Sequence, residues 1–191
     1  MKQTPSFPPR RSLRVHEFDY SQPGAYFVTI VTHERKQLFG QIVNGDVVLN
    51  EVGKMVEEVW IAIPKHFKNI ELGEFVIMPD HIHGIISITV EATHAMPAQD
   101  GFVVESTHVL PLPGISKGPI PGSIGAIIGS FKSAASKRFR EIPNNQEKHL
   151  WQRNYYERFI RNERDYQAIY DYIIANPMNW QKDEKFPLSW E

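Results

Sequence analysis

The stretch Met78-Pro79-Asp80-His81-Ile82-His83-Gly84-Ile85-Ile86 sets two histidines on either side of one apolar residue, at the start of an apolar run. Side chains on a β-strand alternate between faces, so His81 and His83 point the same way, roughly 7 Å apart along the strand. Ile82, Gly84 and Ile86 turn to the opposite face. Two imidazoles side by side are part of a metal site, because neutral imidazole is the commonest protein ligand for metal ions. A further ligand must come from elsewhere. In Asp171-Tyr172-Ile173-Ile174-Ala175-Asn176, the residues Tyr172 and Asn176 are four apart and share one face of a helix. If that face meets the histidine strand, Asn176 supplies an oxygen ligand and Tyr172 a phenol able to form a covalent intermediate. A divalent ion there would polarise a phosphoryl oxygen. Asp80 or Asp171 could assist.

Each piece has a plainer reading. His-x-His on a strand is more often structural, a helical tyrosine is usually packing, and an asparagine before proline usually stops a helix. The combination is what carries information. His16, His33, His66, His94, His108 and His149 have no partner at ligand spacing. Tyr155, Tyr156, Tyr166 and Tyr170 compete for the nucleophile's role, but none has an asparagine four residues later.

The elements that must position these residues can be read from period and punctuation. Ala25 to Thr32 is β-branched and aromatic, a strand. Asn44-Gly45 joins Gln41–Val43 to Asp46–Leu49 as a hairpin. Asn50 caps a helix whose apolar residues Val52, Met55, Val56, Val59, Trp60 and Ile63 recur at helical spacing, with Pro64 marking its end. Strands are expected at Glu74–Met78 and at His81–Val90, with Pro79-Asp80 bending the chain between them. Residues 91–122 are rich in proline and glycine and lack periodicity, which predicts a long, mobile loop insertion. A helix over Ser123–Arg140 buries Ile124, Ile127, Ile128, Phe131, Ala134 and Ala135. A last helix starts at Asn162 and ends at Asn176-Pro177. This order predicts an α+β domain, a mainly antiparallel sheet covered by helices.

Composition narrows the field further. A chain of 191 residues, 41% apolar and 12% aromatic, fits one folded domain spanning 1–191. It has no cysteine, which excludes disulfides, thiolate metal sites and cysteine nucleophiles and fits a reducing cytoplasm. Met1 to Arg14 lacks the apolar core of a signal peptide. No apolar run approaches membrane-spanning length. The expectation is a cytoplasmic protein without a membrane partner. The net charge of −1 conceals an uneven distribution. Arg10, Arg11 and Arg14 cluster early, Lys132, Lys137, Arg138 and Arg140 follow, and then Arg153, Arg158, Arg161 and Arg164. A neutral total can thus hide a basic face suited to phosphates.

Three blocks together resemble the REP-associated tyrosine transposases, within the HUH class of single-tyrosine, insertion-sequence-type transposases. They are Pro79-Asp80-His81-Ile82-His83, the run Trp151 to Asn162 (WQRNYYERFIRN), and Asp171-Tyr172-Ile173-Ile174-Ala175-Asn176-Pro177. The resemblance runs from about Ala25 to Trp180 and is interrupted at 91–122. It implies a ferredoxin-like antiparallel sheet with helices packed on its faces. It implies that His81, His83 and Asn176 carry a divalent metal, Mg2+ or Mn2+, and that Tyr172 is the nucleophile. The implied activity is cleavage and rejoining of single-stranded DNA bearing REP-like hairpins, through a 5′-phosphotyrosine intermediate. Lys132, Lys137, Arg138, Arg153, Arg158 and Arg161 are then the candidate DNA contacts, and Tyr155 and Tyr156 candidate base-stacking residues. Relatives work alone or as homodimers that share active sites, and the sequence is compatible with either. Three rival readings stand against this one. A histidine-triad phosphohydrolase wants a third histidine where Ile85 stands. A domesticated, non-catalytic hairpin-binding protein would keep the fold without the chemistry. A structural or partner-binding α+β domain would make the three motifs accidental.

Overall fold

The computed structural model describes residues 22–89, 120–143, 145 and 147–180. The main sheet has four strands: β1 (Gly24–Val31), β4 (Ile70–Ile77), β5 (His81–Ile88) and β6 (Tyr156–Phe159), in the order β4-β5-β1-β6 and antiparallel throughout. A separate hairpin, β2 (Gly40–Val43) and β3 (Asp46–Leu49), precedes helix α1 (Glu51–Ile61) and the single turn α2 (Ile63–His66). Helix α3 (Ile124–Glu141) links β5 to β6, and α4 (Glu163–Asn179) follows β6. Leaving aside the hairpin and α2, the run β1-α1-β4-β5-α3-β6 with this strand order is the ferredoxin-like arrangement. α4 is an addition to it.

The sheet is apolar on both faces, and each face has its own core. On one side α1 and α3 pack Met55, Val56, Trp60, Ile127, Ile128 and Phe131 against Val28, Ile30, Ile82 and Ile86. Gly84 matters here because a Cβ on it would sit 2.5 Å from Cζ2 of Trp60, so the indole rests directly on the strand backbone. On the other side α4 packs Ile169 and Ile173 against Phe27 and Ile85, with Tyr156, Tyr166 and Tyr172 around them. Period-two alternation on β5 therefore delivers Ile82 and Ile86 to the larger core and His81, His83 and Ile85 to the α4 side.

The punctuation residues act as expected at several points. Asn44 and Gly45 both have positive φ (54° and 88°), the two-residue turn that matches strand twist. The side chains of Asn50 and Asn162 each accept from a backbone N–H three residues on and cap α1 and α4, and Ser123, the expected first residue of its helix, instead caps α3 in the same way.

Other boundaries differ. α1 stops at Ile61, and Pro64 falls in the first turn of α2, where proline's missing N–H costs nothing. β4 begins at Ile70 rather than Glu74, because a register shift between Leu72 and Phe75 absorbs the irregular stretch around Gly73. Tyr156–Phe159 is a short edge strand on β1 that its mixed charge concealed. Ala134 is exposed, and Phe139 completes the buried stripe of α3. α4 does not end at Asn176 but continues through Pro177 to Asn179. Residues 91–119 of the expected insertion lie outside the described residues. No described helix is long and apolar enough to cross a membrane.

Candidate active site

His81 and His83 share a face of β5, with ring centroids 4.4 Å apart. His83 is fully buried. β1 runs beside it in register, Thr29 opposite His83, and Thr29 Oγ1 lies 2.8 Å from His83 Nδ1. The other nitrogen, Nε2, faces the phenol of Tyr172 at 3.2 Å. Phe27 stacks on the ring at 5.4 Å and meets Tyr172 edge-on at 6.2 Å. Burial, then the neighbouring His81 and then the Arg35 charge, push the His83 pKa well below the ordinary imidazole value. His83 is thus neutral at physiological pH, as a hydrogen-bond acceptor or a metal ligand must be.

His81 is nearly as deep, at 8% exposure. Its Nδ1 is bonded to Asp80 Oδ1, and Arg35 stands 3.6 Å from the other carboxylate oxygen. Among the described residues its Nε2 is buried with no partner, as is the Nδ2 of Asn176. Trp180 stacks on the His81 ring at 5.9 Å. Tyr172, Asn176 and Trp180 are each one turn apart on α4. The first touches His83 and the last touches His81, so buried Asn176 lies on the stretch of helix that passes along the histidine pair. Continuation of α4 through Pro177 is what carries Trp180 to His81. An unpartnered His81 Nε2 and a buried asparagine on the helix that passes the histidine pair are suited to a divalent cation, given that a flip of the Asn176 amide presents its oxygen. Among the described residues no group of three or more His, Cys, Asp or Glu could hold a metal.

The predicted DNA contacts fall into separate places. Arg158 and Arg161, joined by Arg164, line a groove of about 500 Å³ whose wall includes Tyr172, Phe27 and Ile169. Asp165 lies 3.5 Å from Arg158 in the same groove. Lys132, Arg153, Arg140 and Lys148 line a second groove of about 300 Å³ beside Trp151. Lys132 is already engaged, donating to the carbonyls of Gln152, Arg153 and Asn154 at 2.6, 3.3 and 3.4 Å. Burial lowers its pKa to about 8. Arg138 is ion-paired with Glu58 at 2.6 Å. Lys137 is exposed on α3, across the sheet from Tyr172. Tyr155 donates to Glu157 and packs on the larger core, while Tyr156 meets Phe27 edge-on in the smaller one. Both are half-buried. Thr29, Arg35 and Trp180 were not anticipated. Only Trp180 had a sequence signal, its place one turn after Asn176.

A phenol beside a buried imidazole and an arginine-lined groove thus stand together on one face of an antiparallel α+β sheet. A REP-associated tyrosine transposase solved bound to a REP hairpin superposes with a TM-score of 0.54 at 20% identity, covering 88% of this chain and 74% of that one. The fold of the chain is the fold of that transposase. The chain belongs to one family with an uncharacterized protein of Haemophilus influenzae (strain Rd), 38% identical over 179 residues and 93% of each chain. No family model matches it.

Proposed function

We propose that this protein cleaves and rejoins single-stranded DNA by transesterification, with Tyr172 as the nucleophile and hairpin-bearing DNA as the substrate. The observation that carries the reading is the Tyr172 phenol 3.2 Å from Nε2 of a buried, neutral histidine, beside an arginine-lined groove. Thr29 Oγ1 accepts from Nδ1–H of His83, which leaves Nε2 as the acceptor that orients the phenol. The phenolic oxygen attacks the scissile phosphorus, the bond to the 3′ oxygen breaks, and the proton lost by the phenol ends on that 3′ oxygen. The products are a 5′-phosphotyrosine link and a free 3′-hydroxyl. Attack on that link by a second 3′-hydroxyl releases Tyr172 and restores a phosphodiester. One phosphoester bond forms for each one broken, so no nucleotide cofactor is consumed.

Arg158, Arg161 and Arg164 neutralise the phosphates flanking the scissile one. His81, the Asn176 amide and His83, whose single Nε2 lone pair would then turn from the phenol to the ion, would hold Mg2+ or Mn2+, and such an ion would polarise the attacked phosphoryl oxygen. The hairpin preference rests on the transposase of like fold, which is bound to a REP hairpin; this is an analogy of fold.

The test is incubation with single-stranded hairpin DNAs and Mg2+ or Mn2+, resolved on a denaturing gel. The expected product is a covalent protein–DNA adduct with a free 3′-hydroxyl fragment. Tyr172→Phe should remove adduct and cleavage together while hairpin binding persists. Binding without any cleavage by the wild type would establish the non-catalytic hairpin-binding alternative. Cleavage without an adduct would replace the proposal with a metal-dependent nuclease.

A further inference from the structure

The bend between β4 and β5 is held by unusual means. Thr32, just past the end of β1, donates both its backbone N–H and its hydroxyl to the carbonyl of Asp80, each at 2.9 Å. The same hydroxyl also faces the carbonyl of Lys36 at 2.8 Å, closing a tight turn over residues 32–36. Within that turn Glu34 and Arg35 both adopt the left-handed conformation, with φ of 57° and 54°. Neither is glycine, and two consecutive residues in this region are rare outside constrained sites. The turn brings Arg35 to Oδ2 of Asp80 at 3.6 Å, and Oδ1 of the same carboxylate is bonded to Nδ1 of His81. Asp80 itself is 5% exposed.

A carboxylate only accepts, so the nitrogen bonded to Oδ1 must carry the ring proton. In the neutral ring Nε2 then holds the lone pair, and among the described residues this is the buried atom without a partner. We infer that Asp80 is a positioning residue that fixes His81 in its Nδ1–H tautomer and turns the Nε2 lone pair into the site. The strained turn serves to hold Arg35 against the same carboxylate. The purpose of this arrangement rests on the proposed metal reading of the site; the tautomer itself does not. A carboxylate behind a ligating imidazole raises its basicity and fixes the ring, and such partners are worth 10- to 100-fold in metal affinity.

The test uses the full chain, metal-free, with the imidazole nitrogens observed by 15N NMR and the His81 signals assigned by their loss in His81→Gln. Wild-type His81 is expected to carry its proton on Nδ1. Asp80→Ala should move it to Nε2, whereas Asp80→Asn, whose amide oxygen still accepts, should retain it. Mn2+ titration followed by electron paramagnetic resonance supplies the second readout. Asp80→Ala should bind Mn2+ 10- to 100-fold more weakly. Arg35→Gln should weaken it less, and Arg35→Lys should restore it. Asp80→Asn guards against misfolding of the alanine variant. A wild-type His81 protonated on Nε2 overturns the inference, as does an Asp80→Ala that changes neither tautomer nor affinity. Unchanged affinity in Arg35→Gln removes the role given to the turn. A wild type with Nδ1–H but no Mn2+ binding supports the positioning by Asp80 and refutes the metal reading.

Discussion

Replacing Thr29 by valine removes one oxygen and almost no volume, which makes the hydrogen bond to His83 the main thing lost. Both residues are β-branched and both suit a central strand. Thr29 is 4% exposed and His83 fully buried, so water cannot take the place of the hydroxyl. The Nδ1 of His83 is then orphaned, and an unsatisfied buried donor or acceptor costs about 1–3 kcal/mol. We take about 2 kcal/mol, since the 2.8 Å bond is unstrained and central. For a domain of this size that lowers Tm by roughly 4–8 °C. A second effect follows. Without Thr29 to receive a proton on Nδ1, the ring is free to carry it on Nε2, and Nε2 can no longer accept from Tyr172. Adduct formation should slow by about 10- to 100-fold, the usual penalty for losing a partner that orients an active-site histidine. Thr29→Ser should recover most of both losses. Differential scanning fluorimetry and a timed adduct gel read the two effects separately. A valine variant that melts with the wild type and forms adduct at the same rate would refute the role given to Thr29 and the tautomer that follows from it.

Three further outcomes are expected. Gly84→Ala places a methyl 2.5 Å from Trp60 Cζ2 and 3.1 Å from Phe75 Cβ, and this overpacking should cost about 1–3 kcal/mol in urea denaturation; an unchanged midpoint would show that Trp60 moves freely. The folded pKa of His83 lies well below its unfolded value, so the unfolded chain binds the extra proton as pH drops. Stability is therefore full above about pH 6.5 and should be lost below it, with a slope approaching 1.4 kcal/mol per pH unit from this one group. Urea midpoints of the metal-free protein should show that slope, and a His83→Asn variant with an equal slope would contradict the assignment. Arg161→Ala, in the Tyr172 groove, should weaken single-stranded DNA binding and reduce its salt dependence by about 0.7 in the log–log slope. Arg138→Ala, whose guanidinium is held by Glu58, should do so far less; equal losses in filter-binding titrations would mean that DNA follows α3.

Local chemistry made much of this legible in advance. The histidine face, the Asn44-Gly45 turn and the Asn50 and Asn162 caps depend on neighbours within four residues, and they stand where period and capping rules put them. What could not be read were features decided across the sheet. The Thr29–His83 bond depends on the register of β1 against β5, which no local pattern encodes. Edge strand β6, with its Glu157 and Arg158, exists because β1 offers an open edge. Pro177 carries a strong local stop signal, yet burial of Asn176 and the stacking of Trp180 on His81 hold the helix past it. The basic clusters were equally ambiguous. Sequence counts charge but does not show that Lys132 spends its ammonium on three carbonyls while Arg161 faces the groove beside Tyr172.

The contact between Trp60 and Gly84 has a consequence for how the chain avoids error. β5 is buried on both faces, and Ile82, Ile85, Ile86 and Ile88 would fill either core about equally well. A slip of β5 by one position would exchange its faces, sending both imidazoles among the aliphatic groups of the larger core. It would also bring Ile85 or His83 under the indole, where only a residue without a Cβ fits. Gly84 therefore works as a notch that a single tooth, Trp60, can engage in one alignment. Trp60 of α1 seats only in that alignment, so the geometry of the two histidines is checked from the far side of the sheet.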